Sequence, residues 1–199
     1  MTDLIGPILV SSIHNLFEHQ PDVLTNTSAT GMTEWNLGHH LANEIAKYIF
    51  WLNHDLDVVK RNHHNQRPDI IFHIRGSNSL NFLVVEIKCH NDNKNDLRKI
   101  KEDWMGTDLH YRYGASVLVK SATDFNLRIF ENGTEAPRNF TPQSHPALLP
   151  IPNKDSSFRF DSLIDRIKSE VNILIGTSDD LSVGCIDHLI AELYESKRG

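Results

Sequence analysis

Arg67-Pro68-Asp69-Ile70-Ile71-Phe72-His73-Ile74-Arg75-Gly76-Ser77-Asn78-Ser79-Leu80-Asn81-Phe82-Leu83-Val84-Val85-Glu86-Ile87-Lys88 consists of two apolar runs flanking a Gly-Ser-Asn-Ser cluster. That pattern predicts an antiparallel hairpin. Pro68 suits the first position of a strand, because it has no N–H to give to a ladder. From Phe82 to Ile87 both alternating faces are apolar except at Glu86. A strand of this kind is expected at the centre of a sheet, covered on both sides.

Glu86 and Lys88 stand two residues apart, so the period of a strand points both to one face. A carboxylate and an ammonium in an apolar strand are costly unless they are paired or bound to something. Asp69 opens the first strand of the hairpin, and antiparallel pairing brings it beside Glu86 at the end of the second. Two carboxylates suit a hard divalent cation such as Mg²⁺, which prefers oxygen ligands and keeps several waters. A nearby ammonium can steady an attacking water or the charge growing on a phosphate. The same residues would also serve a structural hairpin with a Glu86–Lys88 or Asp69–Lys88 ion pair.

Pro68-Asp69 and Glu86-Ile87-Lys88, with 16 residues (70–85) between the two acids, resemble the motif of the PD-(D/E)XK nuclease superfamily. The resemblance implies a restriction-endonuclease-like fold and metal-dependent hydrolysis of phosphodiester bonds, with DNA as the substrate. It implies that Asp69 and Glu86 are ligands of Mg²⁺ or Mn²⁺, that the backbone carbonyl of Ile87 joins the metal shell, and that Lys88 orients or activates the attacking water. Nucleases of this superfamily commonly add an acid from a helix preceding the motif strands. The helical pattern Leu37, Leu41, Ile45, Tyr48, Leu52 resembles that element, with Thr33 as its expected N-cap and Trp51 near its end. Glu34, one turn before Leu37, is the candidate acid, and Glu44, one turn after Leu41 on its other edge, is the runner-up. Compensation of the helix dipole is the competing role for Glu34, and a solvated face that for Glu44.

The charge distribution agrees with an anionic substrate. The 199-residue chain has a formal net charge of −6, yet Val58 to Lys101 carries nine Lys/Arg against four acids, an excess of +5. A basic segment around the proposed site in an otherwise acidic chain favours a polyanion. Arg67, Arg75, Lys94 and Arg98 are the candidate nucleic-acid contacts. The histidines are not read as zinc ligands: His39-His40 and His63-His64 are adjacent, and neighbours on a helix point about 100° apart. His73 shares strand parity with Asp69 and reads as a hydrogen-bonded core histidine.

Outward from the hairpin, an amphipathic helix is expected over residues 3–19, a short strand over Asp57–Asn62 and a charged helix from about Asn93 to Trp104. Further strands are expected at Gly114–Lys120 and Asn126–Glu131, the last running into Asn132-Gly133. Helix, strand, hairpin, helix, strand, strand is the αβββαβ order that the resemblance implies. The fold class is therefore α/β: one domain over 1–199, with a mixed central sheet flanked by helices. Its core spans about 33–131, preceded by a helical extension (1–32) and followed by a helical appendage (134–199) suited to packing or to a homodimer contact. Cys89 and Cys185 are the only cysteines, and 39% of residues are hydrophobic with no apolar run of bilayer length. A cytoplasmic protein without a membrane partner is expected. A binding module on the same fold, with its chemistry lost, is the alternative function.

Overall fold

The computed structural model describes residues 2–25, 31–50, 52–59, 65–76, 81–90, 94–137 and 140–143. His63-His64, Cys185 and the helices expected after residue 150 lie outside the described residues.

Helix α1 (Thr2–His19) and helix α2 (Thr33–Ala46) come first. Three strands follow: β1 (Asn53–Leu56), β2 (Ile70–His73) and β3 (Asn81–Lys88). Next is α3 (Lys94–Arg98), continued by a π-helical stretch, Lys99–Met105. Strands β4 (Tyr113–Ser121), β5 (Asp124–Glu131) and β6 (Thr134–Glu135) complete one six-stranded sheet in sequential order. The pair β3–β4 is parallel and every other pair is antiparallel. Parallel neighbours need a long crossover, and α3 with its π extension supplies it. The protein is thus α/β with a mixed sheet, and α2-β1-β2-β3-α3-β4 runs in the expected αβββαβ order.

Strand β3 is central, and its residues 81–87 are all buried. On one face, Ile71, Val84, Gly114 and Phe130 form a cross-strand row, each paired with the next. Ile100, Trp104 and Met105 from the π stretch pack against this row, with Leu109 and Tyr111. Gly114 leaves the space that Ile100 and Met105 fill: a Cβ there would collide with Ile100 Cγ2 and lie 2.9 Å from Met105 Sδ. Elsewhere α2 approaches closely at Gly38, whose added Cβ would lie 3.5 Å from Ile87 Cδ1.

Several expectations are corrected. The first strand lies at Asn53–Leu56 rather than Asp57–Asn62, because Asp57 takes a left-handed backbone (φ 55°) that ends it. Val58 instead packs against the core cluster. Thr33 is the first residue of α2 and not its cap; Met32 holds the cap position with no side-chain hydrogen bond. The helix stops at Ala46, where Lys47 and Tyr48 turn back onto the carbonyls of Glu44 and Ile45. The sheet also runs past residue 131: β6 pairs with β5, and Phe140 bridges Leu127. Phe140 is fully buried against Gly6 of α1, so α1 belongs to the same core as the sheet. Tyr111 and Tyr113 need no such correction: they are core residues with 1% and 0% exposure, the commoner fate of aromatic side chains at a strand entrance.

Gly114→Ala is expected to destabilise the fold by about 1–3 kcal/mol through overpacking. Urea denaturation followed by circular dichroism should show a lower midpoint with an unchanged slope.

Candidate functional site

The ladder between β2 and β3 ends at the pair Ile70–Val85. One residue further, Asp69 and Glu86 meet at the carboxyl end of β3. Asp69 Oδ2 accepts the backbone N–H of Ile87 at 2.6 Å, which fixes its carboxylate against the strand. Glu86 is only 3% exposed, and its Oε1 accepts the indole N–H of Trp104 at 2.8 Å. The packing of the π stretch over Gly114 and Val84 is what carries that indole to the strand end.

Lys88 closes the site. Its ammonium donates to the carbonyl of Ile87 at 2.9 Å and to Glu34 Oε2 at 3.2 Å. The other Glu34 oxygen accepts the backbone N–H of Cys89 at 3.2 Å. Glu34, in the first turn of α2, therefore reaches the site. Glu44 does not: it pairs with Lys47 at 2.6 Å and faces His19 at 3.8 Å.

Asp96 is a fourth acid at this site, absent from the candidates named on sequence grounds. It is 4% exposed, with Lys88 Nζ 3.7 Å from its Oδ2 and Lys99 Nζ 3.4 Å from its Oδ1. A signal for it exists. Asp96, Ile100 and Trp104 are spaced by four residues, which puts the aspartate on the buried face of its helix. Trp104 has the spacing of a core residue alone, yet it also holds Glu86. Lys99 also bears on Glu86, whose carboxylate its charge favours.

Burial above all raises the Glu86 pKa, and the negative charge of Asp69 adds to this, so that it reaches about 8 despite the Trp104 hydrogen bond. Asp69 is also pushed up, again by burial first, against the opposing pull of the Ile87 N–H and Lys88. Burial alone would lower the Lys88 pKa, but Asp69, Glu34 and Asp96 outweigh it and hold it above the ordinary lysine value. Lys88 is therefore a fixed positive charge and not a proton acceptor near neutral pH. Cys89, raised to about 11 chiefly by burial, stays a thiol.

The donor chemistry fits a hard divalent cation. Glu34, Asp69, Glu86 and Asp96 offer only oxygen. When ionised, these four acids exceed the charge of Lys88 and Lys99 by two. Among the described residues no three acidic, histidine or cysteine side chains lie at ligand spacing, and the Lys88 ammonium lies among the acids. The Ile87 carbonyl, expected in the metal shell, is held by Lys88. Beside the site opens a cleft of about 590 Å³ whose lining includes Thr33, Glu34, Cys89, His90 and Lys120.

The expected nucleic-acid contacts are scattered. Arg67 and Lys94 are exposed. Arg98 pairs with Glu102 at 3.0 Å. Arg75 lies beyond the far end of β2 from Asp69 and grips Asp55 through two side-chain nitrogens, one of them at 3.0 Å. His73 donates to or accepts from the same Asp55 at 2.7 Å, the hydrogen-bonded role read from the sequence. No family model, curated protein or solved structure matches this chain.

The raised Glu86 pKa has a definite sign for stability. Below the unfolded value of 4.5 both states hold the proton; between 4.5 and about 8 only the folded state does. Stability is therefore fully present below 4.5 and lost as pH rises through about 8. Glu86→Gln, measured with chelator present, should melt progressively higher than the wild type as pH goes from 5 to 9. The gap is expected to reach a few kcal/mol, growing by roughly 1.4 kcal/mol for each pH unit between the unfolded and folded values. A gap that does not change with pH would show that Glu86 keeps an ordinary carboxyl.

Proposed function

We propose that this protein is a metal-dependent nuclease that hydrolyses phosphodiester bonds in DNA at the Asp69–Glu86–Lys88 site. The supporting observation is the strand register, which sets Asp69, just ahead of β2, beside the buried Glu86 at the end of β3, with an ammonium that stays charged. The resemblance of Pro68-Asp69 and Glu86-Ile87-Lys88 to the PD-(D/E)XK motif points to the same chemistry. We further propose that the protein works in the cytoplasm. Among the described residues no helix is long and apolar enough to cross a membrane, and Cys89 is free and buried.

Asp69 and Glu86 would hold Mg²⁺ or Mn²⁺, with Glu34 at the rim. When bound, such a cation acidifies a water and draws charge from the phosphate. The protein's own residues do the rest. Trp104 and the Ile87 N–H fix the direction of the two carboxylates. Lys88 offers its charge to the phosphate oxygen on which charge grows. Glu34 limits how far the ammonium can swing. The adjoining cleft, with His90 and Lys120 on its wall, gives a strand of nucleic acid a place beside the acids.

A second reading is a nuclease fold that only binds nucleic acid or protein. Its support is the place of Lys88, whose ammonium lies among the acids and is held by Ile87 and Glu34. Incubation of the wild type, Asp69→Asn and Lys88→Ala with single-stranded, duplex and branched DNA in Mg²⁺ or Mn²⁺ separates the two. Cleavage by the wild type should fall by roughly 10²-fold or more in each variant, the scale of a lost charge-stabilising group, with the circular dichroism unchanged. Binding without cleavage in every condition would favour the second reading.

A further inference from the structure

Asp96 enters the site from α3 with its two oxygens in different situations. Oδ1 lies 3.4 Å from Lys99 Nζ. Oδ2 is buried and accepts no hydrogen bond, although Lys88 Nζ is only 3.7 Å away. A buried carboxylate oxygen without a donor is costly, and native structures rarely leave one so. The missing donor is close: an ammonium carries three protons, and Lys88 donates to Ile87 and Glu34.

The present place of Lys88 conflicts with a cation at the acid pair. Its ammonium rests on the carbonyl of the Ile87 residue whose N–H binds Asp69, and its charge helps to offset that of Asp69. A divalent cation drawn to Asp69 and Glu86 takes over this role and repels the ammonium. Lys88 must then give up the Ile87 carbonyl, and the open oxygen of Asp96 lies a fraction of an ångström beyond hydrogen-bond reach. Lys99 holds the other oxygen, so Asp96 stays in place while Lys88 moves.

We propose that Asp96 is a positioning residue for Lys88, its buried and unbonded oxygen receiving the ammonium when Asp69 and Glu86 take up a divalent cation. The inference rests on the reading of Asp69 and Glu86 as a cation site. It gives Lys88 two places: one on the Ile87 carbonyl and Glu34, and one on Asp96 that leaves the acid pair free while keeping a positive charge at its side.

Isothermal titration of Mn²⁺ and Ca²⁺, without nucleic acid, into the wild type, Asp69→Asn, Asp96→Asn, Lys88→Met and the Asp96→Asn/Lys88→Met double variant tests this. Asp96→Asn should weaken cation binding about tenfold or more, the scale of a charge-assisted hydrogen bond. In the Lys88→Met background the same change should cost less than about twofold, because no ammonium has to be received. Equal losses in both backgrounds would overturn the proposal, showing that Asp96 acts on the cation through its own charge. Undiminished binding by Asp96→Asn, with binding lost in Asp69→Asn, overturns the proposal and leaves the cation site standing. Failure of the wild type to bind either ion overturns the cation site and the proposal with it. If Asp96→Asn does not fold by circular dichroism, Asp96→Ser takes its place in the cycle with the same expected outcomes.

Discussion

A carboxylate inside an apolar strand is the constraint around which this molecule is built. Glu86 is nearly sealed from water, and an acid so placed holds its proton to higher pH, or needs donors and counter-charges close by once it is ionised. The surrounding elements supply them. Trp104 gives an indole N–H, Lys99 a positive charge, and Lys88 binds the acids that lie beyond. Each of these side chains depends on the crossover between β3 and β4 or on the end of β3 itself. The site and the topology are therefore one problem: the parallel pair requires a crossover, and the crossover carries the groups that make Glu86 tolerable.

The tight fit over Gly114 is the mechanical part of this solution. Ile100 and Met105 descend onto the sheet where β4 has no side chain, and this anchors the π stretch. Trp104, between them in sequence, is then held at the height of Glu86. On the other side of the hairpin, the register Ile70–Val85 sets Asp69 one step from the same carboxylate. A slip of one residue would turn every side chain of β2 to the opposite face and carry Asp69 away from Glu86, so the geometry of the acids depends on this register.

The hairpin, the central strand and the pairing of Asp69 with Glu86 are readable in the sequence, since each follows from alternation and a turn cluster. Glu34 is readable from its one-turn offset to Leu37. Other features are not, for identifiable reasons. Val58 and Val59 look like strand residues, but the backbone of Asp57 ends β1 before them. Arg75 looks like a phosphate contact, but Asp55 and His54, some 20 residues earlier, engage it; pairing at that separation leaves no local pattern. Asp96 carries a periodic signal, masked by the apolar residues beside it. The π conformation of Lys99–Met105 has no sequence signature, and it decides where Trp104 points.

The grip of Arg75 and His73 on Asp55 also bears on self-association. Among the described residues β1 stands at one end of the sheet; it spans four residues and carries Asp55, which His73 at the end of β2 and Arg75 beyond it engage. Exposed sheet margins invite foreign strands when they are long, flat and apolar, and short, charge-bearing margins resist them. On this flank the molecule is guarded against growing into a continuous ribbon with its own copies.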